Sequence, residues 1–373
     1  MKIVAIFGTR PEAIKMCPLV LELKKQKNIE CSVCLTGQHK EMLRQVMDAF
    51  QIVEDYNLDI MRERQTLTTI TADILERLEP ILKQVEPDLV LVHGDTTTSF
   101  AAALAAFYQQ IPVGHVEAGL RTGNKYSPFP EEINRGLTSR IASYHFAPTQ
   151  LNQNNLNMEN ITNHVYITGN TVIDAFKTTI IDNYIFYNEQ LNKIDFKNKR
   201  VILLTAHRRE NLGKPLENIC YAAKRIAQED ENILIVYPVH LNPLVRETVQ
   251  KILSGVPGIM LTDPLDVLDM HNLMSRCYMV MTDSGGLQEE APALGKPVLV
   301  MRTETERPEA VEAGTVEVIG IEKEDIFVKA KRLLADEIEY LKMAKAVNPY
   351  GDGHASECIT AILLQEFETY KGE

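Results

Sequence analysis

Short apolar runs rich in β-branched residues alternate with longer segments of helical periodicity along the first part of the chain. The apolar runs predict five strands, at residues 2–7, 31–35, 88–93, 112–116 and 144–147. A polar turn and a helix-like segment follow each of them. This alternation is typical of a parallel sheet that is covered by helices on both faces. The first part of the chain therefore predicts one doubly wound α/β domain.

The alternation loosens into a polar stretch at residues 170–198 and then resumes. A second series of apolar runs predicts strands at residues 200–205, 232–238, 258–262, 278–282 and 297–301. We therefore expect two Rossmann-like domains, residues 1–168 and residues 169–354. Doubly wound sheets bind ligands at the carboxyl ends of their strands. We expect the two sheets to face a central cleft, with the chemistry in the strand-end loops.

Length and charge narrow the class of partner. The 373 residues fit two domains of ordinary size. The chain has 39 Lys and Arg residues against 51 Asp and Glu residues, a formal net charge of −12, and its basic residues are dispersed. A nucleic-acid partner is not expected, since binding to a phosphate backbone needs a clustered positive surface. A small anionic ligand remains compatible with this charge where a few cations converge.

The chain carries no sign of export or membrane insertion. Its first apolar run has only five consecutive residues, too few for the core of a signal peptide, and no segment approaches membrane-spanning length. We therefore expect a cytoplasmic protein without a membrane partner. Six cysteines are scattered, and Cys31 and Cys34 share one predicted strand, where positions three apart point to opposite faces. We interpret all six as reduced core residues.

The end of the first predicted strand carries a helix-start signal. Thr9 and Glu12 have the spacing of a capping box, and Pro11 suits the first turn of a helix. The free N–H groups of this helix, with Arg10 and Lys15, form a plausible anion site. The alternative is a purely structural cap with solvated cations. The G-x-G-x-x-G motif follows none of the predicted strands, so we expect no bound dinucleotide.

Acidic residues lie in three neighbouring loops of the first half of the chain. Asp95 follows the third predicted strand, Glu117 follows the fourth, and Glu131 with Glu132 follows a proline-rich loop. Asp95 as a helix N-cap, and the acid pair as a favourable first helical turn, are the structural alternatives. Together the three loops predict an acid/base cluster of Asp95, Glu117 and Glu131.

Phosphate-binding signals lie in the second half. His207 and Arg208 follow its first predicted strand, where the density of charge favours a phosphate-facing role, with a structural role as the alternative. Ser284, Gly285 and Gly286 precede a predicted helix, and the two glycines allow close backbone approach to an anion. The other histidines lack metal-ligand spacing, and we expect no metal.

Eight motifs occur in order over essentially the whole chain. They are GTRPEA (8–13), HGDTTT (93–98), GHVEAGLRT (114–122), PEEINR (130–135), TAHRREN (205–211), DSGGLQEE (283–290), TERPE (305–309) and NPYGDG (348–353). In these motifs the chain resembles the bacterial non-hydrolysing UDP-N-acetylglucosamine (UDP-GlcNAc) 2-epimerases.

The resemblance implies a GT-B type fold whose C-terminal helix, at about residues 355–373, packs back on the first domain. It also implies a homodimer that interconverts UDP-GlcNAc and UDP-N-acetylmannosamine (UDP-ManNAc) without metal or nicotinamide. The implied catalytic residues are Asp95, Glu117, Glu131 and His207. The implied nucleotide contacts are Arg10, Lys15, Arg135, Ser284, Gly285, Gly286, Glu290 and Arg307.

Two departures from the family pattern bear on ligand binding. Met270 stands where a phenylalanine that stacks on uracil is expected, although a thioether can still cover a ring face. The resemblance also implies activation by a second UDP-GlcNAc. The positions that match this activating site are Gln38, His39, Arg64, Arg208 and His240. Glu41 replaces a glutamine at that site and adds a negative charge.

The chemistry of the substrate limits the mechanism. C2 of a sugar nucleotide is not adjacent to a carbonyl group, so its proton is too weakly acidic for simple removal and return. We expect elimination of UDP to a 2-acetamidoglucal, followed by re-addition, in a route that supplies ManNAc for cell-envelope polysaccharide. The alternatives are a hydrolysing epimerase that releases UDP and ManNAc, a GT-B glycosyltransferase, and a non-catalytic sugar-nucleotide sensor.

Overall fold

A computed structural model of the chain describes residues 1–37, 40–62 and 65–370, without the side chains of residues 40–42 and 369–370. The chain forms two compact units. The first unit contains Met1–Thr178 and the segment that begins at Tyr350, and the second contains Thr179–Pro349. No helix among the described residues is both long enough and apolar enough to cross a membrane.

The first unit has a parallel sheet in the order β3-β2-β1-β4-β5-β6-β7. Its strands are β1 (Lys2–Phe7), β2 (Glu30–Leu35), β3 (Tyr56–Asn57), β4 (Leu89–His93), β5 (Val113–Val116), β6 (Tyr144–Ala147) and β7 (Val165–Ile167). Its helices are α1 (Arg10–Lys25), α2 (Lys40–Ala49), α3 (Leu67–Val85), α4 (Thr97–Tyr108), α5 (Glu131–Ile141), α6 (Gln150–Met158), α7 (Thr171–Asp174) and α16 (Ala355–Tyr370). The chain passes to the second unit at the end of α8 (Phe176–Thr179).

The second unit has a parallel sheet in the order β10-β9-β8-β11-β12-β13. Its strands are β8 (Arg200–Thr205), β9 (Ile233–Pro238), β10 (Ile259–Thr262), β11 (Met279–Thr282), β12 (Val298–Val300) and β13 (Val316–Val318). Its helices are α9 (Lys214–Glu229), α10 (Pro243–Leu253), α11 (Val267–Arg276), α12 (Gly285–Ala293), α13 (Pro308–Glu312), α14 (Lys323–Ala335) and α15 (Glu337–Ala344). Short 3₁₀ turns occupy Leu191–Lys193 and Arg209–Asn211.

The ten strands expected from the apolar runs are all present, with bounds within two residues of the prediction. Three further strands, β3, β7 and β13, were not predicted. Each has only two or three residues and lies at an edge of its sheet. A run this short has no detectable periodicity, and an edge strand does not need an apolar face on both sides.

The predicted capping box at the start of α1 is confirmed, and Glu12 does more than cap. Its Oε2 accepts the N–H groups of Gly8 at 3.0 Å and Thr9 at 2.7 Å. Its Oε1 accepts the hydroxyls of Thr96 at 2.6 Å and Ser99 at 3.1 Å. One buried carboxylate therefore links the end of β1 to the start of α4.

The C-terminal helix α16 is anchored within the first unit. Asp174 accepts the N–H groups of Ser356 at 2.7 Å and Ala355 at 3.2 Å, so it caps the start of the helix. Nearer the other end, the Tyr166 hydroxyl donates to Glu366 at 2.6 Å. The helix packs on α1 and α7.

The cysteines belong to the packed interior. All six are free, five are buried, and Cys358 is half-buried. Cys31 and Cys34 both lie in β2, as expected. Burial raises the pKa of the Cys34 thiol to about 12, so this group is protonated at neutral pH.

Two buried histidines face each other across neighbouring strands of the first sheet. His115 of β5 pairs in register with His145 of β6. Burial lowers the pKa of His115 to about 3 and the pKa of His145 to about 4. Both rings are therefore neutral in the folded chain, whereas in the unfolded chain they take up a proton near pH 6.5.

We predict that replacing His145 with Asn flattens the acid branch of the stability curve. Because the folded pKa is lowered, the stabilisation by the neutral ring is complete above about pH 6.5 and is lost as the pH falls towards 4. The wild-type unfolding free energy should fall in this window by up to about 1.4 kcal/mol per pH unit more than that of the variant. Urea unfolding at a series of pH values measures both slopes. The exposed His354→Asn variant is the control, and equal slopes in wild type and His145→Asn would contradict the assignment.

Candidate active site

Polar side chains collect at the carboxyl edge of the first sheet. The adjacent parallel strands β1, β4 and β5 all end there. The loops that follow these strands therefore emerge side by side, as in other doubly wound sheets. They supply Lys15 from α1, His93 and Asp95 after β4, and Glu117 after β5.

Glu117 is the most enclosed of the three predicted acids. Its Oε1 accepts hydrogen bonds from Lys15 Nζ and, at 3.0 Å, from Asn170 Nδ2. The side chains of Lys15 and Glu117 are only 11% and 13% exposed. Glu117 has a φ of 62°, a left-handed conformation that costs a non-glycine residue about 1–2 kcal/mol. The surrounding contacts maintain this conformation, which points to a functional position.

His93 lies on the other side of the Glu117 carboxylate. Its Nε2 is 3.5 Å from Glu117 Oε2. Among the described residues, this buried nitrogen has no hydrogen-bond partner. Burial lowers the pKa of His93, and the Glu117 charge partly opposes that shift. The ring is therefore a neutral neighbour of the carboxylate.

Asp95 belongs to a second ionic chain at the same edge. Its carboxylate contacts Arg135, and Arg135 Nη1 donates to Glu132 at 3.2 Å. Glu132 also accepts the N–H groups of Thr122 at 3.0 Å and Gly123 at 2.9 Å. This chain ties the loop after β5 to the loop after β4.

The structural alternative for Asp95 is wrong. Thr96 is the N-cap of α4, and its hydroxyl accepts the Ser99 N–H at 3.1 Å. Asp95 is thus available for Arg135. Glu131 occupies the first turn of α5 and is half-buried, whereas its neighbour Glu132 forms the buried ion pair.

In the second unit, Asp283 organises the loop after β8. The residue is fully buried at the end of β11. Its Oδ2 accepts the N–H groups of His207 at 2.8 Å and Arg208 at 2.9 Å, and Asn211 Nδ2 at 3.0 Å. A buried carboxylate that accepts backbone N–H groups fixes the conformation of their loop. Asp283 therefore determines where His207 lies.

The His207 ring stacks on a second histidine. Its centroid is 5.0 Å from that of His240, and the ring planes differ by 6°. The Asn242 N–H donates to His240 Nδ1 at 3.1 Å. Partial burial lowers the pKa of His207, and Asp283, with Oδ1 3.8 Å from Nδ1, acts in the opposite direction.

The start of α12 has the features of an anion site. Ser284 is its N-cap, and the hydroxyl makes no capping hydrogen bond. Gly285 and Gly286 form the first turn, where N–H groups point out of the helix. A Cβ atom at Gly285 would lie 3.2 Å from Arg307 Cζ, so glycine permits this close approach. Arg307 Nε in turn donates to the buried Glu289 at 2.8 Å.

Glu290 and Met270 lie on the helices beside this site. Glu290 Oε2 is 3.4 Å from His271 Nε2, and the Thr179 hydroxyl is 2.7 Å from His271 Nδ1. Met270, which precedes His271 on α11, is half-buried.

For the remaining predicted site residues, the structure gives only a position in the chain or lies outside their range. Arg10 is the first residue of α1 and is half-buried. Gln38, His39 and Arg64 lie outside the described residues, as does the side chain of Glu41. Within the described ranges, no three His, Cys, Asp or Glu side chains are grouped as in a metal site.

Several residues that shape the site were not selected from the sequence. His93 and Asp283 stand at predicted strand ends, so their position was a detectable signal. Asn170 reaches Glu117 across 53 residues of chain and has no local signal. Glu132 and Glu131 are equivalent in sequence, and only the packing of α5 distinguishes them.

Known proteins resemble this chain over nearly its whole length. The UDP-N-acetylglucosamine 2-epimerase family profile matches residues 21–364. The UDP-N-acetylglucosamine 2-epimerase of Bacillus subtilis is 56% identical over 365 residues, which cover 98% of this chain and 95% of that protein.

Two solved structures are similar in fold. The Neisseria meningitidis UDP-GlcNAc 2-epimerase bound to UDP-GlcNAc has a TM-score of 0.88 and 49% identity, covering 98% of this chain and 100% of that one. The Staphylococcus aureus MnaA complex with UDP has a TM-score of 0.90 and 49% identity, covering 98% and 97%. The predicted fold class, two parallel-sheet domains of GT-B type, is confirmed.

These similarities extend over both sheets of the chain. The chain belongs to the UDP-N-acetylglucosamine 2-epimerase family.

Proposed function

We propose that the chain interconverts UDP-GlcNAc and UDP-ManNAc without net release of UDP. The observation that carries this proposal is the enclosed Glu117 carboxylate, bound to Lys15 and Asn170 at the carboxyl edge of the first sheet. An acid in this setting is suited to proton transfer at a bound sugar. Family membership supplies the substrate class.

We propose elimination and re-addition as the reaction. A carboxylate from Asp95, Glu117 or Glu131 takes the C2 proton. The C2–H electron pair becomes the C1–C2 double bond of a 2-acetamidoglucal, while the C1–O bond breaks and UDP leaves with the electron pair of that C1–O bond. UDP then adds back to C1 as a second acid protonates the opposite face of C2.

The second unit is proposed to hold the nucleotide. The first-turn N–H groups of Gly285 and Gly286 are suited to the diphosphate, because the start of a helix attracts anions. His207, together with Arg10 of the first unit, is proposed to stabilise the charge of leaving UDP. Glu290 is proposed to accept hydrogen bonds from the ribose. The remaining proposed nucleotide contacts are Lys15, Arg135, Ser284 and Arg307.

Three wider proposals follow from family membership. We propose that the enzyme works as a cytoplasmic homodimer and that its product supplies ManNAc for a cell-envelope polysaccharide. We also propose that the second unit, Thr179–Pro349, is the UDP-binding domain that the sequence predicts at residues 169–354. Sedimentation analysis of the purified chain tests the dimer.

We predict that the purified protein converts UDP-GlcNAc alone into a mixture with UDP-ManNAc. Proton NMR identifies both sugar nucleotides and any released sugar. The Glu117→Gln and Asp95→Asn variants should be slower by about a hundredfold or more, the usual size of a general acid–base effect. Glu76→Gln, an exposed acid on α3, is the matched control and should retain wild-type activity.

Other outcomes of this experiment identify the alternatives. Accumulation of free UDP and ManNAc would indicate a hydrolysing epimerase. Consumption of UDP-GlcNAc only after an acceptor is added would indicate a glycosyltransferase. Binding without any new sugar nucleotide would indicate a sensor.

We predict that Met270→Phe tightens UDP binding by about two- to tenfold. An aromatic ring stacks on uracil better than a thioether does, and such a pair contributes about 0.5–1.5 kcal/mol. Titration calorimetry with UDP measures the change. Inorganic pyrophosphate, which lacks the base, is the control ligand and should bind both proteins equally. Unchanged UDP affinity would remove Met270 from the uracil site.

We also propose activation by a second UDP-GlcNAc near Arg208 and His240, with Gln38, His39, Arg64 and Glu41 as its other contacts. The stacking of His240 on His207 connects this proposed site to a proposed catalytic residue.

We predict that the reaction from UDP-ManNAc alone begins with a lag that a trace of UDP-GlcNAc abolishes. The lag arises because the activator must first form as product. His240→Ala should weaken the response to added UDP-GlcNAc, measured as the initial rate of UDP-ManNAc consumption. Linear progress curves that added UDP-GlcNAc does not change would remove the activation proposal.

A further inference from the structure

A buried histidine binds the backbone of the loop that carries Asp95. His115 lies on β5 and is 0% exposed. Its Nε2 is 2.7 Å from the carbonyl oxygen of Gly94, the residue immediately before Asp95. Because a carbonyl oxygen only accepts hydrogen bonds, Nε2 carries a proton and is the donor. Burial lowers the pKa of His115 to about 3, so the ring is neutral near pH 7 and this N–H is its one donor.

This hydrogen bond fixes a peptide plane that includes Asp95. The Gly94 carbonyl, the Asp95 N–H and the Cα atoms of both residues lie in one plane. The Gly94 N–H donates to the Val116 carbonyl at 2.8 Å, so the preceding peptide plane is also bound to β5. Gly94 has a φ of 64°, a conformation that glycine adopts at little cost. Contacts with β5 therefore determine the direction in which the chain leaves β4 towards Asp95.

The same contact relates the position of Asp95 to that of Glu117. Glu117 follows directly after β5, two residues beyond His115. A Cβ atom at Gly94 would lie 3.2 Å from Glu117 Oε2, so the glycine backbone passes close to this carboxylate. On the other side of the loop, Asn134 Nδ2 donates to the Asp95 carbonyl at 3.0 Å. The backbones of the two proposed acids are thus linked through the His115 ring.

We propose that His115 is a positioning residue, which holds the Asp95 loop at the distance from Glu117 that proton transfer to and from the sugar requires. This inference rests on the proposed function. His115 is fully buried and acts through the backbone, not by contact with the substrate. A misplacement of about 1 Å in a reacting group can lower the rate about a hundredfold. Loss of the Nε2–H bond should therefore lower kcat more than it changes KM.

Ordinary packing is the competing explanation, because any buried carbonyl group needs a donor. The same sheet provides the comparison. His145 is 2% exposed on β6, in register with His115 and one strand further from the β4 loop. If His115 serves only the core, its substitutions should resemble those of His145, and their effect on kcat should not depend on Asp95.

The central experiment compares His115→Gln with His115→Asn in the epimerase assay. Both side chains end in an amide donor, but asparagine is one methylene shorter and does not reach the position of the histidine Nε2. We expect His115→Asn to lower kcat about tenfold or more, with KM changed less than about twofold. His115→Gln should stay within about threefold of wild type. His145→Gln and His145→Asn are the matched controls and should differ from each other by less than about twofold.

A second substitution tests whether His115 acts through Asp95. Asp95→Asn removes the group that is to be positioned, so adding His115→Asn should lower kcat further by less than about twofold. The inference is overturned if His115→Asn causes the same loss of kcat with and without Asp95→Asn. It is also overturned if the Gln and Asn variants of His115, both folded by circular dichroism, have equal kcat.

A measurement without turnover separates this inference from the proposed function. In protein labelled with ¹³C at the aspartate carboxyl carbon, the resonance lost in Asp95→Asn identifies Asp95. It should move in His115→Asn and keep its wild-type position in His115→Gln. An Asp95 resonance that His115→Asn leaves in place refutes the inference. If wild type forms no UDP-ManNAc, the proposed function fails, while this spectrum still decides whether His115 holds Asp95.

Nitrogen NMR of the wild-type protein tests the hydrogen bond without relying on a stable His115→Asn variant. In protein labelled with ¹⁵N at the histidine rings, the signals lost in His115→Gln identify His115. We expect Nε2 to carry the proton and Nδ1 to carry none. A ring protonated at Nδ1 alone cannot donate to the Gly94 carbonyl through Nε2, and it would overturn the inference.

Discussion

The ion pair between Lys15 and Glu117 is the contact on which the account of the first unit depends. A carboxylate that is 13% exposed needs a partner, because removing an ion from water costs several kcal/mol. Lys15 and Asn170 supply that partnership at Oε1. They also hold Glu117 in a left-handed conformation at the end of β5. The same contacts therefore balance the charge of Glu117 and fix the direction of its side chain.

The second unit uses a buried carboxylate in another way. Asp283 is 0% exposed, and its Oδ2 accepts two backbone N–H groups and the side-chain amide of Asn211. Its charge is balanced by peptide dipoles, and the result is a fixed loop that carries His207 and Arg208. The start of α12 follows directly after Asp283. One residue thus connects the proposed phosphate site to the proposed catalytic histidine.

The sequence predicts the central parts of both sheets because their strands are apolar on both faces and long enough to show a pattern. It does not predict β3, β7 and β13, where two or three edge residues carry no period. Asp95 and Glu117 could be selected because they follow strands, and strand ends of parallel sheets are binding edges.

The partners of those acids could not be predicted in the same way. Asn170 meets Glu117 only through the packing of the chain, and Glu132 differs from Glu131 only in the direction that α5 gives its side chain. Tertiary contacts of this kind leave no mark in local sequence. The resemblance to known epimerases identified the acids and did not reveal what holds them.

Hydrogen exchange at C2 tests the central claim most directly. In D2O, the enzyme should produce UDP-ManNAc that carries deuterium at C2, and recovered UDP-GlcNAc should acquire the same label as the reaction approaches equilibrium. Proton NMR reads both positions as the loss of the C2 signal. Retention of the original hydrogen at C2 in the UDP-ManNAc formed would contradict proton transfer by the strand-end carboxylates.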